Sequence, residues 1–148
     1  MRWLIRTRKP AAKALNFCKE FLQRYDPSQL RSIKLDKGIT PYGVYGWVDE
    51  SPEHPWEPYN IVLHLPGPFP CKISTREAEA YSGKDRIKTS RGVVFSVRYL
   101  NNRSEGLVWL FGHEIFHYLA STKQIDFKNT ERNADHFGSS ILDEYRDV

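Results

Sequence analysis

The sequence predicts a single α+β domain in which helices flank a central group of short strands. The chain has 148 residues, which is long enough for one substantial core, and its 40% hydrophobic content is that of a globular protein. Most of its nine glycines and nine prolines lie between residues 38 and 92, which indicates turns there. We therefore expect residues 1–148 to form one domain, in which an N-terminal helix backs a small, twisted, mainly antiparallel sheet and two further helices follow.

The first helix is predicted by apolar residues at three- and four-residue spacings in "AAKALNFCKEFLQRY". Pro10 fits near the first turn, and Asp26 with Pro27 ends the pattern. The apolar stripe consists of Ala11, Ala14, Leu15, Cys18, Phe21, Leu22 and Tyr25. Because Cys18 lies within this stripe, we interpret it as a small core residue.

The middle of the chain predicts short strands separated by turns. The strand segments are "SIKLD", "GVYGWVDE", "YNIVLHL" and "GVVFSVRYL". Between the last two, "STREAEAY" predicts a brief helix capped by Ser74, and "KDRIKTSRG" predicts an exposed loop. The last third predicts two helices, from about Glu105 to Ser121 and from Thr130 to about Arg146, with Thr130 or Asn129 as the cap of the second.

Charge and cysteine content favour a cytoplasmic protein without a membrane partner. No apolar run has the length of a signal peptide or of a membrane helix, and Cys18 and Cys71 are too few for a disulfide framework. The net charge is +4, with basic residues clustered at the N-terminus and in residues 84–91. Such clusters can contact nucleic acid, but they more often form a solvated face, and no RNA- or DNA-binding motif accompanies them.

The stretch "FGHEIFHYLAS" places two histidines, His113 and His117, four residues apart. On a helix they lie within about 40° of each other and about 6 Å apart, so that both can bind one metal ion from a single face. Apolar residues fill the opposite side of the helix, so we expect the histidines to face a cleft. Glu114 points about 100° away from His113, where it can flank the metal as the base for an activated water.

A third ligand is predicted in "NTERNADHFGSSIL". Glu131 would complete a His-His-Glu set and leave a fourth position open, as a catalytic zinc site requires. Asp135 follows one turn later and could accept a hydrogen bond from a ligating histidine. Two alternatives stay open: Glu131 as an ordinary charge in the first turn of a helix, and His136, about 140° from Glu131 on the helical wheel, as the ligand.

HExxH followed by ExxxD on a second helix resembles the gluzincin clan of zinc metallopeptidases. Within the clan, "GHEIFHYL" and "NTERNADHFGSSIL" are similar to the ImmA/IrrE family, over residues of roughly 92 to 146. The resemblance implies a zincin-like fold, a zinc ion bound by His113, His117 and Glu131, and Glu114 as general base. It leaves one role unfilled, because we find no match for the His or Tyr that steadies the oxyanion in larger members.

The expected function is therefore a zinc-dependent metallopeptidase that cleaves a protein or peptide substrate with a zinc-activated water. The substrate would pair as an extended strand with an exposed sheet edge, which we expect at "VVFSVRYL". One alternative is a regulatory or DNA-associated binding protein that keeps the zinc site as a scaffold, and another is a hydrolase of a non-peptide bond. The carboxylate of Glu114 favours an enzyme, since a scaffold has no need of it.

Overall fold

The computed structural model describes residues 1–8, 10–37, 45–50, 58–65, 68–75, 86–88 and 94–148, and within these it has an α+β fold. In chain order, the elements are β1 (Arg2–Ile5), α1 (Ala12–Leu22), β2 (Leu30–Lys37), β3 (Tyr45–Glu50), β4 (Tyr59–Leu65), β5 (Cys71–Thr75), β6 (Arg86–Lys88), β7 (Val94–Leu100), α2 (Arg103–Ser121) and α3 (Glu131–Arg146). The predicted class is confirmed. No helix within the described ranges is both long and apolar enough to cross a membrane.

The described strands form two sheets, whereas one mainly antiparallel sheet was expected. The larger sheet has the order β1-β2-β4-β3, in which β1, β2 and β4 are parallel and only β3 is antiparallel to its neighbour. The smaller sheet, with the order β5-β7-β6, is antiparallel throughout. The parallel pairing of β1 with β2 arises because α1 connects them, and a helical crossover returns the chain in the same direction.

Three strands lie where the sequence did not predict them. The N-terminal β1 is only four residues long, and β6 occupies three residues of the segment expected to be a loop. Ser74 lies in β5 rather than at a helix cap, and residues 76–81 of that predicted helix are outside the described residues. These strands are short and are defined by their pairing with β2 and β7, which local sequence patterns do not encode.

The three longer predicted helices are confirmed as α1, α2 and α3, with small shifts at their ends. The α2 helix begins two residues before Glu105, because the side chain of Asn102 accepts a hydrogen bond from the Glu105 amide at 2.9 Å. Thr130 is the cap of α3, and its hydroxyl accepts a hydrogen bond from the Asn133 amide at 3.2 Å. Both caps satisfy amides that the first helical turn leaves without a partner.

The α2 helix lies at the centre of the molecule and is buried on nearly all sides, instead of on one flank. On one side Phe111 packs against Trp3 of β1, with ring centroids 5.9 Å apart, and against Phe21 of α1 at 6.2 Å. On another side α2 packs along α3. A helix that is apolar around most of its circumference is stable only when covered in this way. As a result, His113 and Glu114 are held in the interior.

Candidate metal centre

The centre is built where α2 and α3 cross at two glycines. A Cβ on Gly112 would lie 2.9 Å from the Cα of Gly138, and a Cβ on Gly138 would lie 2.8 Å from the carbonyl oxygen of Trp109. Neither position has room for a side chain, because the obstructing atoms belong to the backbone. Glycine inside a helix usually has a packing reason of this kind, and this signal could have located the crossing from the sequence.

About two helical turns before this crossing, Glu131 at the start of α3 contacts both histidines of α2. Its Oε2 lies 3.1 Å from His113 Nε2, and its Oε1 lies 2.9 Å from His117 Nε2. One potential ligand atom from each residue falls in a group whose members are all within 4.8 Å of one another. The structure therefore brings together the three residues that the sequence proposed as ligands, and this group could hold a metal ion.

The other ring nitrogen of each histidine lies close to an oxygen atom. Asp135 Oδ1 lies 2.8 Å from His113 Nδ1, which is the contact expected from the sequence. Asn129 Oδ1 lies 2.7 Å from His117 Nδ1, and this contact was not predicted. Asn129 Nδ2 donates to Ser121 Oγ at 3.2 Å, which fixes the orientation of the amide. When the Nδ1 hydrogens are donated to these oxygens, the Nε2 lone pairs are left for a metal ion.

Glu114 lies beside the three ligand candidates and outside their group. Its Oε1 is 3.7 Å from His113 Nε2, and the residue is only 5% exposed. Burial raises the pKa of Glu114 to about 7, and the nearby carboxylates of Glu131 and Asp135 add to the rise, although His113 opposes it. A carboxyl group with such a pKa can accept and return a proton near neutral pH.

The electrostatics of the centre favour a cation. Burial by itself would lower the pKa of His113, but the hydrogen bond to Asp135 and the charges of Glu114 and Glu131 outweigh it, so the pKa is raised. The carboxylates of Glu114, Glu131 and Asp135 thus lie near one imidazole, and their negative charge favours a positive charge at this position. The donor set of two imidazoles and one carboxylate suits a divalent transition metal. The side chain of Glu131 is 53% exposed, which leaves the group open to solvent on that side.

The structure also bears on the alternative third ligand and on the predicted cleft strand. His136 is exposed and does not belong to the group of ligand candidates. The predicted cleft strand β7 is the central strand of the smaller sheet, paired with β5 on one side and β6 on the other, so it offers no free edge at those residues. Among the described strands, β1 and β3 lie at the two edges of the larger sheet, and both contact α2.

A comparison of this chain with protein-family models, curated proteins and solved structures finds no match, so the interpretation of this centre depends on its own residues.

Proposed function

We propose that this protein is a zinc metallopeptidase of the gluzincin type, with a zincin-like fold and a relation to the ImmA/IrrE-like family. The observation that carries the proposal is the convergence of His113, His117 and Glu131, with the buried carboxyl group of Glu114 3.7 Å from His113 Nε2. A structural ion pair between helices would account for Glu131, but it would give no reason to bury Glu114 beside it at the cost of desolvating a carboxylate.

Zinc is the metal that best fits the donor set. Two histidines and a glutamate are the protein ligands of a catalytic zinc site that keeps one position for water or substrate. Asp135 and Asn129 would orient the two imidazoles and hold their metal-facing nitrogens in the required tautomer. When bound, zinc would supply Lewis acidity, which lowers the pKa of a water molecule and polarises the carbonyl group of the substrate.

Glu114 would carry out the proton transfers. Its carboxylate would accept a proton from the attacking water and then deliver it to the nitrogen of the leaving amine. Without a metal ion, burial raises the pKa of Glu114 to about 7, and a bound zinc ion would lower it again, so that the carboxylate form would be available to accept the proton. Burial of Glu114 also keeps bulk water from competing for that proton.

The substrate would be an extended peptide. Among the described residues, β3 ends the larger sheet, and it also contacts α2. A peptide added as a further strand along such an edge gains main-chain hydrogen bonds without requiring a particular sequence. This arrangement supports peptide hydrolysis over hydrolysis of a small non-peptide substrate.

Glu114→Gln tests the proposal, because it keeps the shape of the side chain and removes its ability to accept a proton. We expect the zinc content to remain near that of the parent and the cleavage of any susceptible peptide to fall by about 10² or more. Glu20→Gln, which changes an exposed glutamate on α1, is the matched control and should cleave at the parental rate. The assay should use a varied peptide pool and should also follow self-cleavage at high protein concentration.

The proposed mechanism is rejected if Glu114→Gln cleaves as fast as the parent with zinc bound. Zinc uptake without cleavage by either protein would favour the alternative, in which the zinc centre is a scaffold for a regulatory or nucleic-acid-associated binding function. Cleavage that is insensitive to chelators would reject a metal-dependent reaction altogether.

A further inference from the structure

A tryptophan that the proposed mechanism does not use lies over a metal-ligand candidate. The indole of Trp109 packs against the imidazole of His113 one helical turn later, with ring centroids 5.3 Å apart and planes 32° from parallel. Both residues are buried, with Trp109 5% exposed and His113 8% exposed. The indole therefore limits the rotation of the His113 ring on the face that the indole covers.

The indole is itself held by Ser139 of α3. Trp109 Nε1 donates a hydrogen bond to Ser139 Oγ at 3.1 Å, and Arg98 Nε of β7 donates to the same oxygen at 3.1 Å. Arg98 Nη2 also donates to the Ser139 carbonyl oxygen at 3.1 Å and lies 2.9 Å from Asp143 Oδ1. Since Ser139 is only 1% exposed, its hydroxyl oxygen is fixed between two donors away from solvent.

We propose that Ser139 and Trp109 are positioning residues of the metal centre. The Ser139 hydroxyl fixes the indole, and the indole sets the plane of the His113 ring so that its Nε2 faces Glu131. This inference rests on the metal site of the proposed function. It adds a series of contacts that runs from His113 through Trp109 and Ser139 to Arg98 of β7. Asp135 constrains one edge of the same imidazole and Trp109 one face, so that the ring is held in two directions.

A purely structural role for the same contact makes a different prediction. If Ser139 does no more than satisfy a buried indole N–H, its removal lowers thermal stability but leaves the zinc affinity of the folded protein unchanged. If Ser139 positions His113 through the indole, its removal weakens zinc binding even well below the unfolding temperature. Partners of metal ligands typically contribute a factor of about 10 to 100 in metal affinity.

The test is a double-mutant cycle with zinc affinity as the readout. Trp109→Phe keeps an aromatic ring beside His113 but cannot bond to Ser139. We expect Ser139→Ala to weaken zinc binding by about 10-fold in the parent, and by less than about 2-fold in the Trp109→Phe background. Ser140→Ala is the matched control, since Ser140 is the next residue on α3, is exposed, and donates to the His136 carbonyl oxygen. Competition with a chromophoric chelator gives the affinities, and the absorption spectrum of the cobalt-substituted protein reports ligand geometry.

Equal zinc affinities in Ser139→Ala and Ser140→Ala would overturn the inference, and so would an equal loss in both backgrounds. If Ser139→Ala does not fold, Trp109→Phe alone tests the inference. This variant should bind zinc roughly 10-fold more weakly than the parent and should have an altered cobalt spectrum. A parent that binds zinc but cleaves no peptide would reject only the peptidase. A parent that binds no zinc would reject both proposals.

Discussion

Gly112 and Gly138 bring the backbones of α2 and α3 into contact one residue before His113. A Cβ on Gly112 would lie 2.9 Å from the Gly138 Cα, closer than such atoms approach in proteins. On the N-terminal side of this crossing, Glu131 of α3 contacts His113 and His117, and Asp135 contacts His113. The separation of the two helices, and therefore the geometry of the candidate metal centre, depends on the absence of two side chains.

Adding a methyl group at this crossing should separate the helices. We expect Gly138→Ala to lower the free energy of unfolding by about 1–3 kcal/mol, because its Cβ would meet backbone atoms of Trp109 and His113 at 2.8 and 3.2 Å. Zinc affinity should fall as well, since Glu131 would be displaced from the histidines. Urea unfolding and chelator competition measure the two effects. An unchanged stability, like that expected of Ser140→Ala, would show that the crossing tolerates a side chain.

Glu131 and His136 are the competing third ligands on α3, and the two can be separated. We expect Glu131→Ala to weaken zinc binding by at least about 10-fold, because a catalytic zinc site needs three protein ligands and Glu131 is the one that contacts both histidines. His136→Ala should bind zinc as the parent does. Metal analysis and competition titration provide the measurement. The opposite order of the two variants would assign the third ligand to His136.

Asn129 should contribute to metal binding through His117. In Asn129→Ala, the Nδ1 of His117 loses the oxygen that lies 2.7 Å away, so its tautomer and ring orientation are less restricted. We expect zinc affinity to fall by about 10-fold. Asn16→Ala, which changes an exposed asparagine on α1, is the control and should have no effect. If both variants bind zinc equally well, the contact between Asn129 and His117 has no role in metal binding.

An ion pair distant from the metal ligands should make stability depend on pH. Burial alone would raise the pKa of Glu105, but the guanidinium of Arg146 at 2.8 Å and the Asn101 amide lower it below its usual value. A carboxyl group with a lowered pKa in the folded state stabilises the fold above its unfolded pKa, and that stability is lost as pH falls through the folded pKa.

Glu105→Gln removes this ionisation and provides the comparison. We expect the parent to be more stable than Glu105→Gln at pH 7, and the difference to shrink as the pH falls below about 4.3, the usual pKa of a glutamate. Urea unfolding at a series of pH values gives the free energies. A stability difference that does not vary between neutral and acidic pH would mean that the charge of Glu105 contributes nothing to folding.

The local sequence was sufficient for features that lie within one helix. The spacing of His113 and His117 determines their positions on α2, and Thr130, one of the two predicted caps, lies at the start of α3. These predictions succeeded because helical geometry relates residues three and four positions apart, whatever surrounds them. The same reasoning identified Glu131 and Asp135 as residues of one helical face.

Only the tertiary structure decided how the elements meet. The contact between Asn129 and His117, the hydrogen bond from Trp109 to Ser139 and the parallel pairing of β1, β2 and β4 join segments whose relative positions no local pattern specifies. The central position of α2 likewise depends on the layers that cover it, so His113 is more buried than it would be on an amphipathic surface helix. Sequence periodicity determines which residues share a face, whereas distances between faces are set by packing, here by the close approach at Gly112 and Gly138.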